Sequence, residues 1–280
     1  MSDPAVGGGG PGGPVRLAAS LEGPAGAPVL VLGNSLGTSR ACWEPVVPAL
    51  TRHFRLLCYE HRGHGRAGTG LSPAPPGPYS VAVLARDVLA LLDAEGIGRA
   101  LYAGVSLGGM VGMWLAAHAP ERIAGLGLVC TSAYLPPASG WTSRAAQVRV
   151  SGTGSVAEQS AARWFPPAFL AAKPGTTAAF TADLAGLDDE GYAGCCEAIA
   201  SMDQRADLAR IGTPTLVIAG DQDPAIPPWH AAVIASAIPG ARLRVIRGAA
   251  HLATVSHPEQ ISVLLTEHLL AAKDAADSAV

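Results

Sequence analysis

The sequence has no long hydrophobic run. Hydrophobic residues make up 49% of the 280-residue chain and the mean hydropathy is +0.29, but these residues are scattered Ala, Val and Leu. The longest apolar candidate, Leu107 to Ala117, falls short of the roughly 18 residues a membrane span needs. Charge is also scarce, at 15% of residues with a net charge of -3 and a pI near 6.2. No run of Lys or Arg could track phosphates, which argues against a nucleic-acid partner. No G-x-G-x-x-G turn follows the first strand-like segment, so a nicotinamide enzyme is set aside. The five cysteines, Cys42, Cys58, Cys130, Cys195 and Cys196, are an odd number without framework spacing. That pattern suits free thiols in a reducing compartment, and the protein is expected to be cytoplasmic. Cys195 and Cys196 are adjacent, with Cα atoms about 3.8 Å apart, closer than the roughly 5.5 Å a disulfide prefers. No second Cys/His pair lies nearby at zinc-ligand spacing.

What is present is an alternation of short apolar runs with amphipathic segments, the pattern of a parallel sheet covered by helices. Residues 28–34, 54–60, 100–106, 123–130, 214–220 and 242–248 read as strands. Between them, Val81, Leu84, Val88, Leu91 and Leu92 share one helical face and Gly96 supplies a C-terminal stop. Further helices are expected from Leu107 and over Pro258 to Ala272. The alternation stops at 135–210, where helical segments rich in Ala, Trp and Pro take over, so this stretch reads as a helical cap inserted into a core of 15–134 and 211–273. Residues 1–14, rich in Gly and Pro and lacking the apolar stretch of a signal peptide, read as a disordered lead-in, and 274–280 as a frayed tail.

The chemistry centres on "GVSLGG", Gly104 to Gly109, a G-x-S-x-G match where a strand meets a helix. A tight turn there projects the Ser106 hydroxyl above the sheet, and only small residues fit two places either side, which Gly104 and Gly108 satisfy. Serine needs a base within reach and a third group to orient that base. In a doubly wound hydrolase these follow in the order acid, then His, on later strand ends. Asp223 in "IAGDQDPAIPP" and His251 in "GAAHLATV" meet that order, with Asp221 on the same turn as a second candidate acid. Of the other histidines, His61, His64 and His257 could approach a pocket. An oxyanion needs fixed donors, expected from the backbone N-H groups of Leu107, after the nucleophile, and Leu36, in the turn "GNSLGT".

These residues resemble the α/β-hydrolase superfamily, and more narrowly the 3-oxoadipate enol-lactonases of the bacterial β-ketoadipate pathway of aromatic catabolism. The narrow likeness rests on "NSLGT" (34–38), "RGHG" (62–65), "GVSLGGM" (104–110), "GW" (140–141), "RWF" (163–165), "GYAGCC" (191–196), "AGDQDPAIPP" (219–228) and "AAHLATV" (249–255). It implies an α/β-hydrolase fold, a mostly parallel doubly wound sheet with the helical cap inserted after the sixth strand. It also implies a serine esterase without metal or organic cofactor, acting on a small lactone that bears a carboxylate. Glu60 departs from the pattern, standing where Asp is commoner before "RGHG". A closed pocket must satisfy the substrate carboxylate with a cation or several donors. Trp141 with Arg144, or Arg163 with Trp164, are candidates for this role, and Cys195 and Cys196 are expected to pack a cap helix. The rival readings are a cofactor-free esterase or perhydrolase of the non-haem haloperoxidase type, and a non-catalytic binding module on the same fold. A binding module usually shows a lost triad member, and here all three are present.

Overall fold

The computed structural model describes residues 13–65 and 72–278; most of the expected lead-in, residues 1–12, lies outside them. Among the described residues seven strands form one sheet in the order β1-β3-β2-β4-β5-β6-β7. They are β1 Ala19–Glu22, β2 Val29–Gly33, β3 Arg55–Tyr59, β4 Ala100–Val105, β5 Ile123–Val129, β6 Thr215–Gly220 and β7 Arg242–Ile246. Only β1 runs antiparallel, against β3; the other pairs are parallel. β4 is buried at every position, as expected of a strand covered on both faces. The six anticipated strands lie within a residue or two of their expected limits, and β1 was not anticipated. It is a short edge strand with no fully buried residue, so it lacks the apolar run by which the others declare themselves.

The helices are α1 Val47–Leu50, α2 Val81–Ala94, α3 Leu107–His118, α4 Ala138–Ser151, α5 Ala157–Trp164, α6 Pro167–Ala172, α7 Pro174–Ala185, α8 Asp189–Ser201, α9 Trp229–Ala237, α10 Ala253–Ser256 and α11 Pro258–Asp277. Ser80 caps α2 by accepting a hydrogen bond from Val83 N-H, and Gly96 just beyond that helix adopts φ +67, a conformation glycine takes without strain. Helix α11 continues through Asp277 into the stretch read as a frayed tail, in keeping with the high helix propensity of its Ala-rich end. Helices α4 to α8 lie between β5 and β6, over the stretch expected to be the cap. It follows β5, the fifth described strand, and not a sixth, because only β1 precedes the parallel strands.

The cap is tied down at its base and along one side. The segments entering and leaving it pair through a Tyr134–Asp203 bridge, and Gln204 N-H donates to Ala133 O at 2.8 Å. Arg149 on α4 forms ion pairs with Glu190 and Glu197 on α8. Gly63 of the core and Gly191 of α8 touch backbone to backbone, so a Cβ on either would collide with the other.

The elbow between β4 and α3 depends on the same kind of closeness. A Cβ at Gly104 would meet the Gly108 backbone, and one at Gly108 would meet the Gly33 carbonyl at the end of β2. Gly108→Ala should therefore push α3 from β2 and lower unfolding stability by about 1–3 kcal/mol. Gly98→Ala, with nothing near the added Cβ, should change it by less than about 0.5 kcal/mol. Urea unfolding of both variants checks this, and equal stabilities would contradict it.

Candidate active site

Ser106 sits between β4 and α3 with φ 54 and ψ -112, a conformation that costs a non-glycine residue energy and persists only where its surroundings impose it. They do so from both sides. Ser106 N-H donates to Val129 O at 2.9 Å, and its carbonyl accepts from Met110 N-H at 3.0 Å and from Thr131 Oγ1 at 2.7 Å. The hydroxyl stands at the carboxyl ends of the parallel strands, the side on which open α/β sheets bind ligands.

Asp223 follows β6 and is buried. Its Oδ1 accepts from Ala225 N-H and Ile226 N-H, and its Oδ2 lies 2.8 Å from His251 Nδ1. A carboxylate only accepts, so Nδ1 carries the imidazole proton and Nε2 of the neutral ring is left as an acceptor. Asp221 is exposed and accepts from Gly248 N-H at 2.6 Å; it pins the turn before His251 without reaching the imidazole. Of the two candidate acids, Asp223 is the one paired with His251.

A cavity of about 70 Å³ is bordered by Ser106, His251, Leu36, Trp141, Arg144, Arg163 and Trp164. The expected residues of core and cap therefore converge on one small chamber. Leu107 directly follows Ser106, and among the described residues neither Leu36 N-H nor Leu107 N-H has a hydrogen-bond acceptor in the protein. The two loops are joined, since Gly108 N-H donates to Asn34 O at 3.0 Å.

Other bordering residues were not foreseen as site residues, among them Leu135, Ser160, Tyr192 and Ile199. Arg144 Nε donates to Tyr192 Oη at 2.7 Å, and its Nη2 donates to Ser160 Oγ at 2.5 Å. Neither partner is charged, and among the described residues no Asp or Glu borders the chamber, so the guanidinium is held in position without being neutralised. Arg163 is exposed and has no hydrogen-bond or ion-pair partner among the described residues. The Arg144–Tyr192 contact needs α4 and α8 side by side, a pairing that helical periodicity alone does not supply. Cys195 and Cys196 are fully buried; burial pushes the Cys195 thiol well up and Cys196 to about 12. Helix α8 faces the chamber with Tyr192 and Ile199, and not with its cysteines.

His61 and His64 do not border the chamber. His61 Nε2 donates to Asn34 O at 3.0 Å, and His64 Nε2 accepts from Gly37 N-H at 3.0 Å. His257 instead meets Ser256 Oγ through Nδ1. Behind the two loop histidines, Arg62, fully buried, grips Asp87 of α2 through two hydrogen bonds.

A parallel sheet with a strained serine on a glycine-packed elbow, and a carboxylate-held histidine beside the same chamber, is the architecture of an α/β hydrolase. The family model for the alpha/beta hydrolase fold matches residues 28–258; the chain belongs to this family and is a hydrolase. Its likeness extends further, to 3-oxoadipate enol-lactonase 2 of Acinetobacter baylyi, at 39% identity over 245 residues, covering 88% of this chain and 90% of that one. The solved enol-lactonase of Burkholderia xenovorans LB400 is 36% identical, with a TM-score of 0.87, covering 91% of this chain and 96% of that one. A protein of Stutzerimonas stutzeri named for carbamate hydrolysis is 33% identical over 251 residues, covering 87% of this chain and 92% of that one. Among the described residues no helix is long and apolar enough to cross a membrane.

The buried histidines set a pH dependence. Burial lowers His61 to about 3, with its neighbour His64 adding to the effect, and burial lowers His64 to about 4. Burial also lowers His230, His257 and His268. Below the ordinary histidine value of 6.5 the unfolded chain takes up protons that the folded chain refuses, so stability is lost as pH falls through that value. Burial raises Glu60 to about 7 and raises Asp87 as well, which acts in the opposite direction but at two carboxylates against five histidines. Unfolding stability should therefore fall by about 1 kcal/mol or more between pH 6.5 and pH 5. Urea midpoints measured across that range check this, and a flat or rising profile would contradict it.

Proposed function

We propose that the protein opens 3-oxoadipate enol-lactone to 3-oxoadipate through an acyl-enzyme on Ser106. The observation that carries this reading is the un-neutralised Arg144 guanidinium, held by Tyr192 and Ser160 in the chamber that Ser106 and His251 border. A cation fixed by neutral hydroxyls suits a substrate with a free carboxylate beside the bond to be cut. The similarity to two enol-lactonases over most of the chain supports the same substrate.

In this mechanism His251 Nε2 takes the Ser106 proton as Oγ attacks the lactone carbonyl, and Asp223 stabilises the imidazolium that forms. The N-H groups of Leu36 and Leu107 receive the oxyanion. The ring oxygen leaves as an enol or enolate, a better leaving group than a simple alkoxide, and then ketonises. Water activated by His251 releases the acid from Ser106. Arg144 and Trp141 hold the carboxylate, with Trp164 walling the chamber and Arg163 at its rim. No step calls for a metal or an organic cofactor, and the protein acts in the cytoplasm.

Two measurements test this reading. Freshly generated enol-lactone, followed by loss of its ultraviolet absorbance, should be turned over far faster than p-nitrophenyl acetate. The reverse preference would move the protein to a general esterase. Arg144→Ala should lower kcat/KM for the lactone by about 10- to 100-fold, the worth of a charge-assisted hydrogen bond, and that for p-nitrophenyl acetate less than about threefold. Equal losses on both substrates would contradict the role given to Arg144.

A further inference from the structure

The reaction needs the Leu36 N-H aimed into the chamber, yet Leu36 lies on a loop, and loops are the most mobile parts of a fold. Its aim is set by the residues either side. On the N-terminal side, Asn34 O accepts from Gly108 N-H and His61 Nε2, while Asn34 Nδ2 donates to Tyr59 O and Glu60 Oε2, each at 2.8 Å. On the C-terminal side, the peptide joining Leu36 to Gly37 is held through its N-H, which donates to His64 Nε2 at 3.0 Å. Gly37 has φ +76, so the chain turns sharply there, and this bond checks rotation of the peptide plane next to Leu36.

His64 can accept that bond in only one protonation state. Its Nδ1 lies 2.8 Å from Arg62 O, and a carbonyl only accepts, so Nδ1 carries the proton and Nε2 is bare. The Tyr192 ring stacks on the His64 ring, with centroids 6.3 Å apart and planes 20° apart, and Tyr192 Oη is the partner of Arg144 Nε. The segment carrying His64 is itself fixed by the buried Arg62–Asp87 pair and by the contact of Gly63 with Gly191.

We infer that His64 is a positioning residue for the reaction: its neutral ring, clamped between the Arg62 carbonyl and the cap's Tyr192, holds the Gly37 N-H and so keeps the Leu36 N-H aimed at the developing oxyanion. This rests on the reading of Leu36 as an oxyanion donor. It assigns His64 no contact with substrate.

Two polar substitutions separate the ends of the ring. The amide of His64→Asn stands where Nδ1 stands, able to donate to Arg62 O but leaving Gly37 N-H without an acceptor. The longer His64→Gln carries a carbonyl out to the place of Nε2, where it can accept from Gly37. The expected result is a kcat lowered about 10- to 100-fold in His64→Asn, with KM within about threefold of the unaltered enzyme and the melting temperature little changed. His64→Gln should stay within about threefold of the unaltered kcat. These factors lie below the 10²–10³ lost when an oxyanion donor is removed outright. Equal losses in the two variants, a loss confined to KM, or an unchanged kcat in His64→Asn would overturn the inference.

Both the enol-lactone and p-nitrophenyl acetate serve as substrates, since either would pass through the same oxyanion. A protein that refuses the lactone but cleaves the ester would sink the lactonase reading and leave the role of His64 to be read on the ester. Hydrogen exchange in the unaltered protein is an independent check should a variant fail to fold. The Gly37 amide should be strongly protected, and exchange at the rate of an open loop would overturn the inference.

Discussion

The site is built around a backbone contact that admits no side chain. Gly33 at the end of β2, Gly104 at the end of β4 and Gly108 in the first turn of α3 press together so closely that a Cβ on Gly104 or Gly108 would enter its neighbour's backbone. That closeness brings Gly108 N-H onto Asn34 O, and it ties the turn carrying Ser106 to the loop carrying Leu36. The strained φ of Ser106 is imposed by the strand, the helix and Thr131 together. Proteins tolerate such strain where the surroundings over-determine it, and active sites are where it collects.

Around this contact lies a polar frame in which each group has a stated partner. The buried Arg62–Asp87 pair fixes the 61–64 segment to α2, and His61 and His64 carry that rigidity to either side of Leu36. An ion pair so deeply buried gains little net stability over an apolar replacement, but it holds a loop where a hydrophobic contact would let it slide. The cap meets the same segment through Gly191 and Tyr192. Arg144, through Tyr192, and the loop carrying Leu36, through His64, thus share one support.

Much of this was legible in the amino-acid order. Strand-like runs placed six of the seven strands, because parallel strands buried on both faces must be continuously apolar; β1 escaped because an edge strand need not be. Gly104, Ser106, Asp223 and His251 stood out because the chemistry demands those residue types on strand ends in that order. Of Asp221 and Asp223, both on the turn after β6, spacing already favoured Asp223, and in the structure that carboxylate is the one that reaches His251. The partners of Arg144 were not legible, since Ser160 and Tyr192 reach it only once α4, α5 and α8 have packed. His61 and His64 looked like candidates for a pocket, whereas both face the backbone of the loop behind it. Short motifs report which side chains recur together, not which way each one points.

The central claim is that Ser106 on its glycine-packed elbow is the nucleophile. Its most direct test is turnover of the enol-lactone and of p-nitrophenyl acetate by Ser106→Ala, with the melting temperature measured on the same sample. If Ser106 is the nucleophile, turnover falls by about 10³-fold or more while melting shifts by no more than a few degrees. Turnover within about tenfold of the unaltered enzyme, in a protein that still melts normally, would contradict it.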